Sequence, residues 1–160
     1  MITSSRLKYR QLLSSDENES LTMAQNGEVM VYITGAALSL KEAKERFLYQ
    51  LSVNKEYKDL GFIRAESLDT GEFIGYVKMT PLNSNELEIG YAILPKFWGK
   101  GYASEMLVAM EDFAATLKSF DKLVGIADTA NKPSIKVLLK RNFTLQKENN
   151  KKSYYIKHLH

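Results

Sequence analysis

The chain of 160 residues contains no cysteine. That excludes a disulfide framework, a thiolate-held zinc and a cysteine nucleophile, and it fits a reducing, cytoplasmic setting. Its two histidines, His158 and His160, both fall among the last three residues. Chain ends fray, so neither is given a catalytic role. The three prolines do not gather into a linker, and no repeat or low-complexity stretch stands out, so one domain over residues 1–160 is expected. No apolar run approaches the ~20 residues of a membrane span. The charged opening MITSSRLKYR is not followed by the apolar core of a signal peptide. A net charge of +3 is too weak to argue for nucleic acid, which calls for a concentrated basic stripe. Neither a membrane nor a nucleic acid is therefore an expected partner.

What is present is ordinary for a soluble globular chain, with 44% hydrophobic and 26% charged residues. RLKYRQLL at 6–13 alternates and reads as a first strand. The acidic stretch from Asp16 to Ser20 leads into a helix running to about Gly27. Ser39 and Glu42 have the spacing of a capping box ahead of a helix over 41–57, on which Ala43, Phe47 and Leu51 form one apolar stripe. Strands follow at 60–67, 72–80 and 86–94, the first two joined by the turn Asp69-Thr70-Gly71. A helix over 102–118, a strand over 121–128, a helix over 133–141 and strands over 143–148 and 152–158 complete the chain. The order predicts an α+β fold with a local β-α-β unit bridging 86–128.

The junction inside that unit carries the chemical signal. A strand ends near Pro95, Gly99 and Gly101 follow, and a helix opens at once with Met106, Leu107, Met110 and Phe113 on one apolar face. A helix start presents unpaired N–H groups and the positive end of the macrodipole. Glycines before it allow positive φ and close approach of a ligand. Together these make an anion site suited to a diphosphate, with Lys96 and Lys100 at its rim. The spacing is neither a dinucleotide fingerprint nor a P-loop. An ordinary strand-to-helix turn with two convenient glycines is the alternative.

The run Lys96-Phe-Trp98-Gly99-Lys100-Gly101 resembles the acetyl-CoA motif of the GNAT superfamily of N-acetyltransferases, with lysine in the first place where glutamine or arginine is usual. Glu88-Ile-Gly-Tyr, Trp98-Gly-Lys-Gly-Tyr102-Ala103-Ser104-Glu105 and the opening with Arg6, Leu7 and Arg10 are similar to its RimJ/RimL branch. Asn131, Ser134, Val137, Leu138, Lys140 and Phe143 resemble that branch's second cofactor motif. Two positions depart. Asn142 stands where glycine is usual, and asparagine is the next best residue for a left-handed helix end. Leu138 stands where many GNAT enzymes carry the tyrosine that protonates the departing thiolate.

The resemblance implies a mostly antiparallel central sheet flanked by helices, with acetyl-CoA as cosubstrate and no metal. The pyrophosphate would sit along Ile93 to Glu105, including Trp98 and Tyr102, which read as packing residues rather than stackers. Asn131 would bind the pantetheine arm and Ser134 would lie near the sulfur. On strand 86–94, Leu87, Ile89, Tyr91 and Ile93 share one face. Glu88, Gly90 and Ala92 share the other, where small side chains leave room for the arm. Glu88 is then the candidate general base, with an ion-paired structural glutamate as the alternative. Backbone N–H groups at Ile93 and Leu94 are candidates for the oxyanion. Without cysteine or a usable histidine, direct attack by an amine is favoured over an acyl-enzyme. The acceptor is a primary amine, on a small molecule or a protein N-terminus, bound by a monomer or homodimer. The first helices and the last hairpin usually shape the acceptor side in this branch. A binding module that holds acyl-CoA without turning it over is the alternative.

Overall fold

The computed structural model describes residues 1–160. Its strands are β1 (Leu7–Gln11), β2 (Gly61–Ser67), β3 (Phe73–Pro81), β4 (Glu86–Ile93), β5 (Lys122–Asp128), β6 (Thr144–Asn149) and β7 (Lys152–His158). Its helices are α1 (Glu17–Ala24), α2 (Gly27–Met30), α3 (Leu40–Glu56), α4 (Tyr102–Thr116) and α5 (Lys132–Lys140). The strands form one sheet in the order β1-β2-β3-β4-β5-β7-β6, antiparallel except for β4 and β5. α4 makes the crossover between those two parallel strands.

Local chemistry accounts for most boundaries. The Ser39 hydroxyl accepts from the Glu42 N–H at 3.2 Å, and the Glu42 carboxylate accepts from the Ser39 N–H at 3.0 Å, so the capping box fixes the start of α3. The helix predicted to reach Gly27 instead breaks after Ala24. The Asn26 side chain accepts from Glu28 N–H at 2.9 Å and Val29 N–H at 3.3 Å, which caps a new short helix in a new direction. At the end of α5, Asn142 has φ of 65°, and Phe143 and Asn142 donate to the carbonyls of Leu138 and Leu139, both at 3.1 Å. Asparagine thus fills the left-handed cap in place of glycine.

The two faces of β4 meet different partners. Leu87, Ile89 and Ile93 bury against Met106, Leu107 and Met110 of α4 in the main core. Ala92, on the opposite face, packs with Met23, Val29, Met30 and Phe73 beneath α1 and α2. Those helices are anchored at a buried polar corner. Asp16 accepts from Arg10 at 2.7 and 2.8 Å and from the Leu13 N–H at 2.8 Å. Arg64, 4.7 Å above the Phe73 ring, bridges on to Glu19 at 2.6 Å and Glu66 at 2.9 Å.

An opening in the sheet follows from the register of the parallel pair. β4 and β5 pair from Glu86–Lys122 to Ile89–Gly125 and no further. β4 then stays with β3 as far as Ile93, while β5 stays with β7 as far as Asp128. The two strands therefore diverge beyond Ile89 and Gly125, and the sheet opens into a cleft.

Candidate active site

The cleft holds a cavity of about 480 Å³ that runs from the start of α4 to α5, and a smaller one of about 90 Å³ reaching down to Gly125. Tyr32, Ile33, Tyr91, Asn131 and Ser134 line both, so the two spaces adjoin. One wall of the larger space is Trp98, Gly99 and Gly101 to Ser104, and the facing wall is Glu28, Val29, Tyr32 and Ile33 around α2.

The first wall is made by backbone. Gly99 and Gly101 have φ of 72° and 82°, a region that costs any residue with a β-carbon roughly 1–2 kcal/mol. Gly101 is the N-cap of α4 and brings no side chain to occupy the N–H groups of the first turn. Those of Tyr102, Ala103 and Ser104 are thus left for a ligand. Glu105, the one acid of that turn, would oppose an anion, but Arg6 holds it from β1's side. The Arg6 N–H and Nε donate to its carboxylate at 2.8 and 2.6 Å, and Nη1 donates to the Lys100 carbonyl at 3.0 Å. Burial pushes the Glu105 carboxyl up, yet the hydrogen bonds from Arg6 and Ser4 outweigh it and hold the group below its ordinary value. The Arg6 guanidinium also lies 4.2 Å over the Tyr102 ring. Sequence reasoning placed Arg6 only in a family-like opening; its role as the clamp on this loop emerges from a contact 99 residues apart.

The two lysines expected at the rim do not line the cavity. Lys96 pairs with Glu72, which the β3–β4 pairing brings beside the turn at Pro95–Phe97. The ammonium of Lys100 lies 5.7 Å from the Phe97 ring centroid, so this residue contributes backbone geometry to the loop. Trp98 and Tyr102 both line the cavity. The Trp98 indole donates to the Ile93 carbonyl at 2.8 Å, and Tyr102 packs edge-on to Phe97.

Backbone alternation along β4 corrects one expectation. The Leu94 N–H donates to the Ile74 carbonyl at 3.0 Å, so it is not free to meet an oxyanion. Even-numbered residues of β4 thus point their amides at β3, and odd-numbered ones point toward the cleft, where pairing with β5 has ended. Of the two candidates, Ile93 alone keeps its N–H on the cleft side.

At α5 the Asn131 side-chain oxygen accepts the Ser134 N–H at 3.3 Å, and its NH₂ makes no hydrogen bond, leaving two donors at the cavity. The Ser134 hydroxyl is hydrogen-bonded to the Tyr91 phenol at 3.0 Å. Burial pushes that phenol above its ordinary value, with the Ser134 bond pulling weakly the other way. Leu138 packs onto β5, where a β-carbon on Gly125 would come within 2.9 Å of it. The apolar side chain at this position therefore serves the helix–strand contact.

Glu88 does not line either cavity, although Gly90, two residues along the same face, lines the smaller one. Its carboxylate meets the Lys78 ammonium at 2.8 Å, diagonally across β3, because Lys78 registers with Gly90. Glu28 was not singled out by any sequence pattern. It is the one carboxylate on the larger cavity's wall, and it makes no ion pair. No residue of β6 or β7 reaches either space.

Comparison with known proteins agrees with this geometry. The chain is 29% identical over 140 residues to the uncharacterized protein YkkB of Bacillus subtilis, covering 85% of this chain and 80% of that one. It is 28% identical over 153 residues to the uncharacterized N-acetyltransferase YoaA of the same organism, covering 92% and 84%. An acetyltransferase from Agrobacterium tumefaciens superposes with a TM-score of 0.83 at 23% identity, over 98% of this chain and 93% of that one. RimL, a ribosomal L7/L12 α-N-protein acetyltransferase solved with coenzyme A, superposes at 0.82 and 16% identity over 98% and 97%. The spermidine N-acetyltransferase of Vibrio cholerae, solved with CoA and spermine, does so at 0.76 and 17% over 96% of each chain. Residues 6–144 match the family model of the acetyltransferase (GNAT) domain, so with its splayed β4–β5 cleft and uncapped α4 start the chain belongs to the GNAT acetyltransferases.

Proposed function

We propose that this chain transfers the acetyl group of acetyl-CoA to a primary amine by direct attack in a ternary complex, as a RimJ/RimL-like member of its family. The observation that carries this reading is the uncapped start of α4 opening onto the cleft where β4 and β5 part. Tyr102, Ala103 and Ser104 would present N–H groups to the pyrophosphate, and the arm would lie along Gly90 to Ile93 with Asn131 donating to it. The CoA bound by RimL and by the spermidine acetyltransferase supports the cosubstrate.

The attacking amine must be neutral, while a free alkyl amine is mostly protonated near pH 7. Its proton would pass through water to Glu88, two residues or about 7 Å along β4 from Gly90. The amine nitrogen then bonds to the carbonyl carbon and gives up its second proton to water, the Ile93 N–H meets the oxyanion, and the C–S bond breaks as the oxyanion collapses, the sulfur accepting a hydrogen bond from Ser134. A second candidate for facing the amine is Glu28. It is favoured by its free carboxylate on the cavity wall, where Glu88 is paired with Lys78.

Calorimetric titration with acetyl-CoA, desulfo-CoA and ATP tests the site. Binding of both CoA compounds but not ATP is expected, and failure of acetyl-CoA to bind at millimolar concentration would sink the reading. A screen of amines for free thiol release then separates an enzyme from a module that only binds.

A further inference from the structure

A departing thiolate needs a hydrogen-bond donor, and the leucine at 138 supplies none. The side-chain hydroxyls lining the smaller, deeper space are Tyr32, Tyr91 and Ser134. Two of them are already joined: Tyr91 on β4 reaches across the cleft to Ser134 in the first turn of α5, at 3.0 Å. A hydroxyl has one proton to give. If Tyr91 gives its proton to Ser134, the Ser134 proton is free for a third atom in the cleft.

We propose that Tyr91 and Ser134 form a two-hydroxyl relay in which Tyr91 donates to Ser134 and Ser134 donates to the sulfur of coenzyme A. Ser134 is the group that touches the leaving atom, and Tyr91 is a positioning residue acting through it. The inference rests on the acetyl-CoA reading above. No proton need leave Tyr91. The C–S electron pair stays on sulfur, the serine hydrogen bond stabilises it, and the thiolate takes its proton from water as CoA departs.

Burial supports the polarity of the chain. A phenol held above its ordinary value stays protonated through neutral and mildly alkaline pH, so it remains a donor to Ser134. Charged groups near the cleft do not substitute for the relay. No lysine, arginine or histidine lines either space. The carboxylates that do, Glu28 and Asp128, would oppose a thiolate rather than favour it, and the remaining phenols on these walls are those of Tyr32 and Tyr102.

The relay favours a thiolate over a thiol, so it can be read without an acceptor. The intact chain is titrated with CoA and with desulfo-CoA from pH 6.5 to 9.5. A bound thiol lowered by about one pKa unit makes the CoA-to-desulfo-CoA affinity ratio climb severalfold as pH rises through that range, toward a limit of about tenfold. Tyr91→Phe and Ser134→Ala should each flatten the climb to within about twofold while leaving desulfo-CoA binding unchanged, and the double variant should lose no more than either single one. Ser134→Thr, which keeps the hydroxyl, should retain most of it. A Tyr91→Phe chain that keeps the full climb overturns the relay while leaving acetyl-CoA binding intact. Ser134→Ala reads the same quantity should the tyrosine variant fold poorly. Absence of binding by either compound to the unaltered chain removes the acetyl-CoA reading itself.

Discussion

The two walls of the main cavity are built by different means. On the α4 side, Gly99, Gly101 and the N–H groups of Tyr102 to Ser104 do the shaping, and side chains mostly serve to hold the loop in place. On the α2 side, Glu28, Val29, Tyr32 and Ile33 present side chains from a helix of four residues and the turn after it. That short helix is held by Asn26 and by burial of Val29 and Met30 against Ala92, while α1 beside it starts from the Asp16 corner. A cosubstrate common to a family suits a backbone-built wall, because peptide N–H groups do not change when residues do. An acceptor that differs among relatives suits a wall whose side chains can vary.

Substitutions on the two walls, and at Glu88 outside them, should therefore separate chemistry and acceptor from cosubstrate. Glu88→Gln should have the largest effect, lowering kcat on the order of 100-fold with acetyl-CoA affinity unchanged by calorimetry, if the residue acts as general base. Unchanged turnover would remove Glu88 from the mechanism and leave Glu28 as the carboxylate facing the amine. Gly101→Val should give the opposite pattern. Its positive φ costs a residue with a β-carbon roughly 1–2 kcal/mol, which corresponds to about five- to thirtyfold weaker acetyl-CoA binding where that strain falls on the bound loop. Equal affinity would argue that the loop does not meet the ligand. Glu28→Gln should be milder, raising KM for a cationic amine about three- to fivefold with KM for acetyl-CoA constant. A rise in both constants would place Glu28 outside the acceptor side.

The smallest effect concerns what supports the α2 wall. Burial pushes the Asp16 carboxyl up, but its hydrogen bonds from Arg10 and the Leu13 N–H, with the charges of Arg10 and Arg64, hold it below its ordinary value. A carboxyl lowered on folding adds stability that is present in full above its unfolded value near 3.9 and is lost as pH falls through the folded one. Tm should accordingly drop more steeply below about pH 4. Arg10→Met should lower Tm at pH 7 by about 2–4 °C and shrink that acid-dependent part. An identical acid slope in the variant would show that the corner is not pH-linked through Arg10.

Much of the fold was legible because local rules agreed with one another. The Ser39–Glu42 box, the Asp69-Thr70-Gly71 turn, the α4 stripe and the asparagine cap at 142 each rest on neighbours within a few residues. The break between α1 and α2 was missed because Asn26 caps rather than continues, and a side-chain cap competes evenly with helix in such polar sequence. Gly99, Gly101 and Asn131 line the cavity. Lys96 was drawn away by Glu72, and the Leu94 amide by Ile74, partners that only strand register brings near.

The sequence by itself determined the elements, the glycine-led helix start and the family likeness, because each is written in short-range spacing that the backbone obeys. Tertiary structure alone decided the clamp of Arg6 on Glu105, the pairing of Glu88 with Lys78, the meeting of Tyr91 with Ser134 and the exposure of Glu28 in the cavity. Each of those depends on which strands pair, where β4 leaves β5, and how far a side chain reaches across the gap. Such distances are set by packing of the whole sheet and are not encoded in any local run of residues.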